Sequence, residues 1–161
     1  MSVIGLVTLI GRSGRIAEPA PPRPQLLEGA AVFGGSVQVR FINAGGCNDC
    51  AIEVANAFGP VYDVERYGVR LVASPRHADV LVITGAVTRN MVEPLLRTIE
   101  ATPSPRFVIA VGDCAIDGGV FARGYGVAGP VSDFVRVDLE VPGSPPEPDQ
   151  IVLALRRMTG R

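Results

Sequence analysis

No lysine occurs in the 161 residues, so all fifteen cations are arginines. Fifteen basic residues against sixteen acidic ones leave a formal net charge of −1. That balance excludes the basic footprint of a nucleic-acid-binding protein. Histidine occurs once, at His77, and is expected at a helix start or an interface rather than as a ligand. Three cysteines are an odd and small supply. They speak against a disulfide framework and for metal or redox use in a reducing compartment. No apolar run is long enough to cross a bilayer; residues 3–10 give only a short one, interrupted by Gly5. Arg12 and Arg15 follow that run rather than precede it, so it makes a poor signal peptide. It is expected to be a short strand or a docking segment, with any membrane association coming through another subunit. The G-x-G-x-x-G fingerprint is missing after the first strand-like run, so flavin or dinucleotide binding is not supported.

What is present begins with a core. Hydrophobic residues make up 47% of the chain, enough for one folded domain of this length. Residues 1–36 differ from the rest. Ala17-Glu-Pro-Ala-Pro-Pro-Arg-Pro24 suits neither a helix interior nor a central strand. It predicts an extended, Pro-rich N-terminal arm or linker, lying on a partner or mobile. From residue 37 to 161 the pattern is one of strands alternating with helices. Strands are expected at 37–42, 69–72, 80–83, 107–111 and 135–139. Helices are expected at 50–58, from the turn at 84–88 to about 101, and at 148–158, with a helical turn or loop at 61–68. Ser74-Pro75 reads as an N-cap with proline at the first helical position. Pro94 predicts a kink or a late start. The continuous β-branched run 80–83 suits a parallel strand covered on both faces. Together these give an α/β fold with a mostly parallel sheet.

The chemistry gathers in the turns after strands. Gly45-Gly-Cys-Asn-Asp-Cys50 follows the first strand and opens a helix. Two thiols at that spacing can share a metal or form a disulfide, and the helix N-terminus is expected to favour their thiolates. Gly112-Asp-Cys114 and Gly118-Gly119 follow a second buried strand, and Pro142 to Pro146 follows the last. Right-handed crossovers place these turns along one sheet edge, where ligands bind in such folds. A thioredoxin-like pair at Cys47 and Cys50 would leave Cys114 and the glycines unexplained. The spacing fits no common zinc module. Gly85, Gly112, Gly118 and Gly119 are expected to turn sharply or to let backbone approach a bound group.

Several stretches carry a family resemblance. They are Gly46-Cys-Asn-Asp-Cys-Ala-Ile-Glu53, Tyr62-Asp-Val-Glu-Arg-Tyr-Gly68, Ser74-Pro-Arg-His-Ala-Asp79, Thr84-Gly-Ala-Val-Thr88, Gly112-Asp-Cys-Ala115 and Val141-Pro-Gly-Ser-Pro-Pro146. In order and spacing this chain resembles the small iron–sulfur subunit shared by energy-converting Ni–Fe hydrogenases and complex I. Within it the chain resembles the formate hydrogenlyase small subunit, a relative of the complex I 20 kDa subunit. The resemblance implies a flavodoxin-like three-layer fold and one 4Fe–4S cluster held by four cysteines. It implies an electron relay docked on a large hydrogenase-like or quinone-reductase-like subunit, beside a ferredoxin-type subunit, at the cytoplasmic face of a membrane. Catalysis would not be complete in this chain alone.

Cys47, Cys50 and Cys114 match family ligand positions, but Ser144 stands where the family has its fourth cysteine. Three outcomes follow from that serine: a Ser-ligated cluster, a three-cysteine 3Fe–4S or water-completed cluster, or a labile or lost cluster that leaves a non-redox assembly subunit. Gly46, Gly112, Gly118, Gly119 and Glu53 are the residues expected around the cluster. Glu53 is read either as complementing the helix dipole or as handling protons or facing a partner. Asp49 and Asp113 are read as negative charge beside the cluster or as caps. Arg76 either balances that charge or pairs with Asp79.

Overall fold

The continuous β-branched run at 80–84 takes the centre of the sheet in this computed structural model. The structure describes residues 21–161 and, before them, Gly5, Val7, Thr8, Gly11 and Arg12. In chain order the elements are β1 (Val37–Asn43), α1 (Asp49–Ala57), β2 (Val69–Leu71), β3 (Val80–Thr84), β4 (Val87–Thr88) and α2 (Arg89–Ala101). Then come β5 (Phe107–Val111), α3 (Asp113–Asp117), β6 (Val127–Gly129), β7 (Leu139–Val141) and α4 (Pro148–Thr159). Five strands form one parallel sheet in the order β2-β1-β3-β5-β7. Counting those five alone, this is the flavodoxin-like order 2-1-3-4-5. β4 and β6 form a separate antiparallel pair.

Side-chain alternation builds the three layers. Val80 and Val82 of β3, with Ile109 and Val111 of β5, pack with residues of α1 and α4. Leu81 and Ile83, with Val108 and Ala110, pack with α2 and α3 on the other face. Both faces of the sheet are therefore covered, as the unbroken apolar runs require.

Four local readings change. α2 begins five residues before Pro94 and runs through it, so the late start is not seen. The interior proline costs about 3 kcal/mol; burying Leu95 and Ile99, at roughly 1.5–3 kcal/mol each, outweighs that. Leu96 and, in α1, Ile52 are exposed. The last strand is Leu139–Val141, not 135–139. Val135 and Val137 instead pack from an irregular segment onto the α2 side, and their alternation mimics a strand. Finally, the arm from residue 21 onward lies on its own domain. Leu27 N–H donates to Arg157 O (2.8 Å), Arg156 Nη2 donates to Pro22 O (2.8 Å), and Phe33 meets Phe107 edge-on at 5.6 Å. The apolar residues there bury against α4 and the β5 strand end, which fixes the segment. Residues 17–20 lie outside the described residues. Of the run 3–10, the described Gly5, Val7 and Thr8 are helical rather than extended.

Candidate metal centre

β1 leads to one neighbour, β2, and β3 lies on its other side, so the chain leaves β1 and β3 in opposite directions. A crevice opens between their carboxyl ends. The first wall is a loop organised by Asn43, the last residue of β1. Its Oδ1 accepts from Gly45 N–H and Gly46 N–H, both at 3.0 Å, and its Nδ2 donates to Asn48 Oδ1 at 2.9 Å. Ala44 N–H donates to Thr84 O (2.9 Å), stitching the loop to β3. Gly46 and Gly85 meet backbone to backbone; a Cβ on Gly85 would overlap Gly46.

The loop delivers Cys47 and Cys50 to the mouth of the crevice. Cys47 is exposed, and its thiol donates to Asp49 Oδ2 at 3.3 Å. Cys50, in the first turn of α1, is 8% exposed. Its Sγ lies against Gly112, where a Cβ would overlap it. Cys114, on α3, is 5% exposed, and a Cβ on Gly119 would sit 3.0 Å from its Sγ. All three cysteines line one cleft with Gly46, Asn48, Ala51, Thr84 and Gly85. Thr84 is 2% exposed, and its Oγ1 has no hydrogen-bond partner.

Other expected residues take different places. Gly118 forms the left-handed cap of α3 and faces Ala122, not a sulfur. Glu53 accepts from Asn56 Nδ2 at 3.2 Å and does not line the cleft. Ser144 is exposed and also stands outside the cleft lining. Its loop is nonetheless fixed beside Cys114. Gly143 N–H donates to Asp113 Oδ1 (2.7 Å), while Asp113 N–H donates to Gly143 O (2.8 Å). Asp113 is thus a clamp. Asp79 accepts from Gln38 N–H (2.8 Å); pairing with Arg76 was one of the two readings for that arginine. Asn43 and the orphaned Thr84 hydroxyl were not anticipated. An asparagine ending a strand before Ala-Gly-Gly is a sequence signal for the first; Thr84 had none beyond its place in a motif.

The two buried thiols, Cys50 and Cys114, are not held as helix-activated thiolates. Burial pushes the Cys50 thiol up to about 11, with Cys114, Cys47 and Asp49 adding to it. Burial likewise raises Cys114, followed by Cys47, Asp113 and Asp117. Backbone donation lowers each only partly, because desolvation and neighbouring negative charge outweigh it. These sulfurs need a cation to hold them as thiolates. Among the described residues, no three His, Cys, Asp or Glu side chains are gathered closely enough for one ion. Zinc would require that, at about 2.3 Å per sulfur. A cluster spreads its thiolates over several irons, so three thiols around a shared cleft, two of them seated on glycine, fit it.

The match to known proteins spans this arrangement. Residues 47–158 match the family model described as NADH ubiquinone oxidoreductase, 20 kDa subunit. The chain belongs to that family. Within it, the probable membrane-bound hydrogenase subunit mbhJ of Pyrococcus furiosus is 45% identical over 130 residues, 78% of this chain and 78% of that one. Formate hydrogenlyase subunit 7 of Escherichia coli K12 is 45% identical over 113 residues, 70% of this chain and 44% of that one. Among solved structures, a chain of the membrane-bound sulfane sulfur reductase, an archaeal respiratory membrane complex, superposes with TM-score 0.69. It is 28% identical, with 81% of this chain and 74% of that chain covered. The 20 kDa family match takes in all three cysteines, the Asp113 clamp and Ser144. No helix among the described residues is long and apolar enough to cross a membrane.

Proposed function

We propose that this chain is the electron-transfer subunit of a hydrogenase-like or NADH:quinone oxidoreductase-like complex. Cys47, Cys50 and Cys114 would hold one cluster of 4Fe–4S type, with the Ser144 loop completing the site. Bound there, the cluster would supply one-electron storage between a ferredoxin-type neighbour and a large catalytic subunit. The observation that carries this reading is the shared cleft: three thiols from two separate loops, with glycine replacing side chains beside two sulfurs. The chain itself supplies burial for Cys50 and Cys114, a rigid Asn43-bonded loop, and an open side at Cys47. Exposed Ile52, Val120, Phe121 and Tyr125 lie on the segments leaving Cys50 and Cys114 and offer apolar surface to a partner. Placement at the cytoplasmic face of a membrane would follow from the partners.

The test is anaerobic co-purification with the neighbouring chains, followed by iron and acid-labile sulfide analysis and EPR. The expected result is bound iron and sulfide with a cluster signal on reduction. Bound partners without iron, sulfide or signal would make the chain a non-redox assembly subunit instead.

A further inference from the structure

Thr84 ends β3, and alternation along Val80, Val82 and Thr84 puts its side chain on the Cys50 side of the sheet. It pairs in register with Asn43 and Val111, and its carbonyl is taken by Ala44 N–H. Its hydroxyl is different. Thr84 is 2% exposed, lines the three-cysteine cleft, and finds no hydrogen-bond partner for Oγ1. A buried hydroxyl without a partner destabilises a fold, and Val, its isostere in shape, would remove that penalty. The β3 residues before it and its β5 partner are apolar: Val82, Ile83 and Val111. The hydroxyl is therefore an unpartnered polar group in the lining it shares with the three cysteines.

We infer that Thr84 Oγ1–H is a hydrogen-bond donor to a sulfur of the group held by Cys47, Cys50 and Cys114, and that it raises the reduction potential of that group. This rests on the cluster reading above. The proton stays on Thr84. Its partial positive charge stabilises the added electron of the reduced state more than the oxidised state, and hydrogen bonds to sulfur are among the factors that set cluster potentials.

Thr84→Val and Thr84→Ser in the anaerobically purified complex test the inference by redox titration followed by EPR. Thr84→Val is expected to bind iron and sulfide as wild type does, with a lower midpoint potential; Thr84→Ser, which keeps the donor, is expected to restore the wild-type value. An unchanged potential in Thr84→Val overturns the inference while leaving the cluster reading intact. Wild type without iron and sulfide overturns both. A second measurement stands if the valine variant loses its cluster. In the cluster-free full chain, Thr84→Val should raise the melting temperature, because it removes an unpartnered hydroxyl. A lower melting temperature would mean that Oγ1 is already bonded within the protein, and would sink the inference.

Discussion

Glycine and sulfur make the tightest contacts of the site, and single residues there have large expected effects. Gly112 sits at φ +91, ψ 151, a region that only glycine adopts readily, with Cys50 Sγ in the space of its missing Cβ. Gly112→Ala should destabilise the fold by about 3 kcal/mol from backbone strain and overpacking together. Urea denaturation and iron content would show it; wild-type values would mean that Cys50 has room to move. Ser144→Cys supplies the thiol that the family places there. It should raise iron per chain and slow the loss of iron in air, and unchanged values would show that position 144 does not reach the metal group. The raised thiols add a pH dependence in the cluster-free chain. Below pH 9.0 the Cys50 thiol is protonated both folded and unfolded, and its contribution to stability is complete. Between pH 9.0 and about 11 the unfolded chain loses that proton first, so stability falls across this window. Melting temperatures on either side of the window should fall less in Cys50→Ala than in wild type.

At the scale of elements, three aspartates repeat one device. Asp79 with Gln38, Asp138 with Val108 and Asp113 with Gly143 each exchange two bonds, one from the aspartate N–H and one to its carboxylate. The first two tie strand ends together; the third ties the Ser144 loop to α3. Asp113→Ala should cost about 2 kcal/mol, the usual worth of a hydrogen bond to a charged group, and should speed hydrogen exchange at the Gly143 amide. Asp113→Asn keeps an acceptor and should cost less. None of these clamps is visible in the sequence, because each partner is brought close only by strand pairing. The strands at 80–83 and 107–111 were legible, since a parallel strand covered on both faces reads as an unbroken apolar run. So was the convergence of Cys47, Cys50 and Cys114, which follows from crossover handedness. The strand at 135–139 was misplaced because Val135 and Val137 satisfy the same alternation from an irregular segment. At Cys50 the thiolate expectation failed because burial is a tertiary property, and it outweighs the local helix terminus.

Over the whole of the described residues, α4 ties the segment at Pro22 to Arg161. Arg156, 7% exposed, donates from Nε to Arg161 O (2.7 Å) and from Nη2 to Pro22 O (2.8 Å), and its guanidinium lies 4.4 Å from the centre of the Tyr67 ring. Arg156→Ala should destabilise the fold by roughly 3 kcal/mol, from the lost charged hydrogen bonds and ring contact. Limited proteolysis should then cut near Pro22 first; a wild-type cleavage pattern would show that other contacts hold the segment. The cleft itself is lined from three separate stretches: the loop carrying Cys47 and Cys50, the end of β3 with Gly85, and α3 with Cys114. During synthesis on the ribosome Cys47 and Cys50 emerge first. They then wait for β5 to bring Cys114. Iron supplied to the growing polypeptide would meet only an isolated pair of thiols. The order of events is thus fixed by topology: the three thiols share a cleft only after β5 has paired with β3.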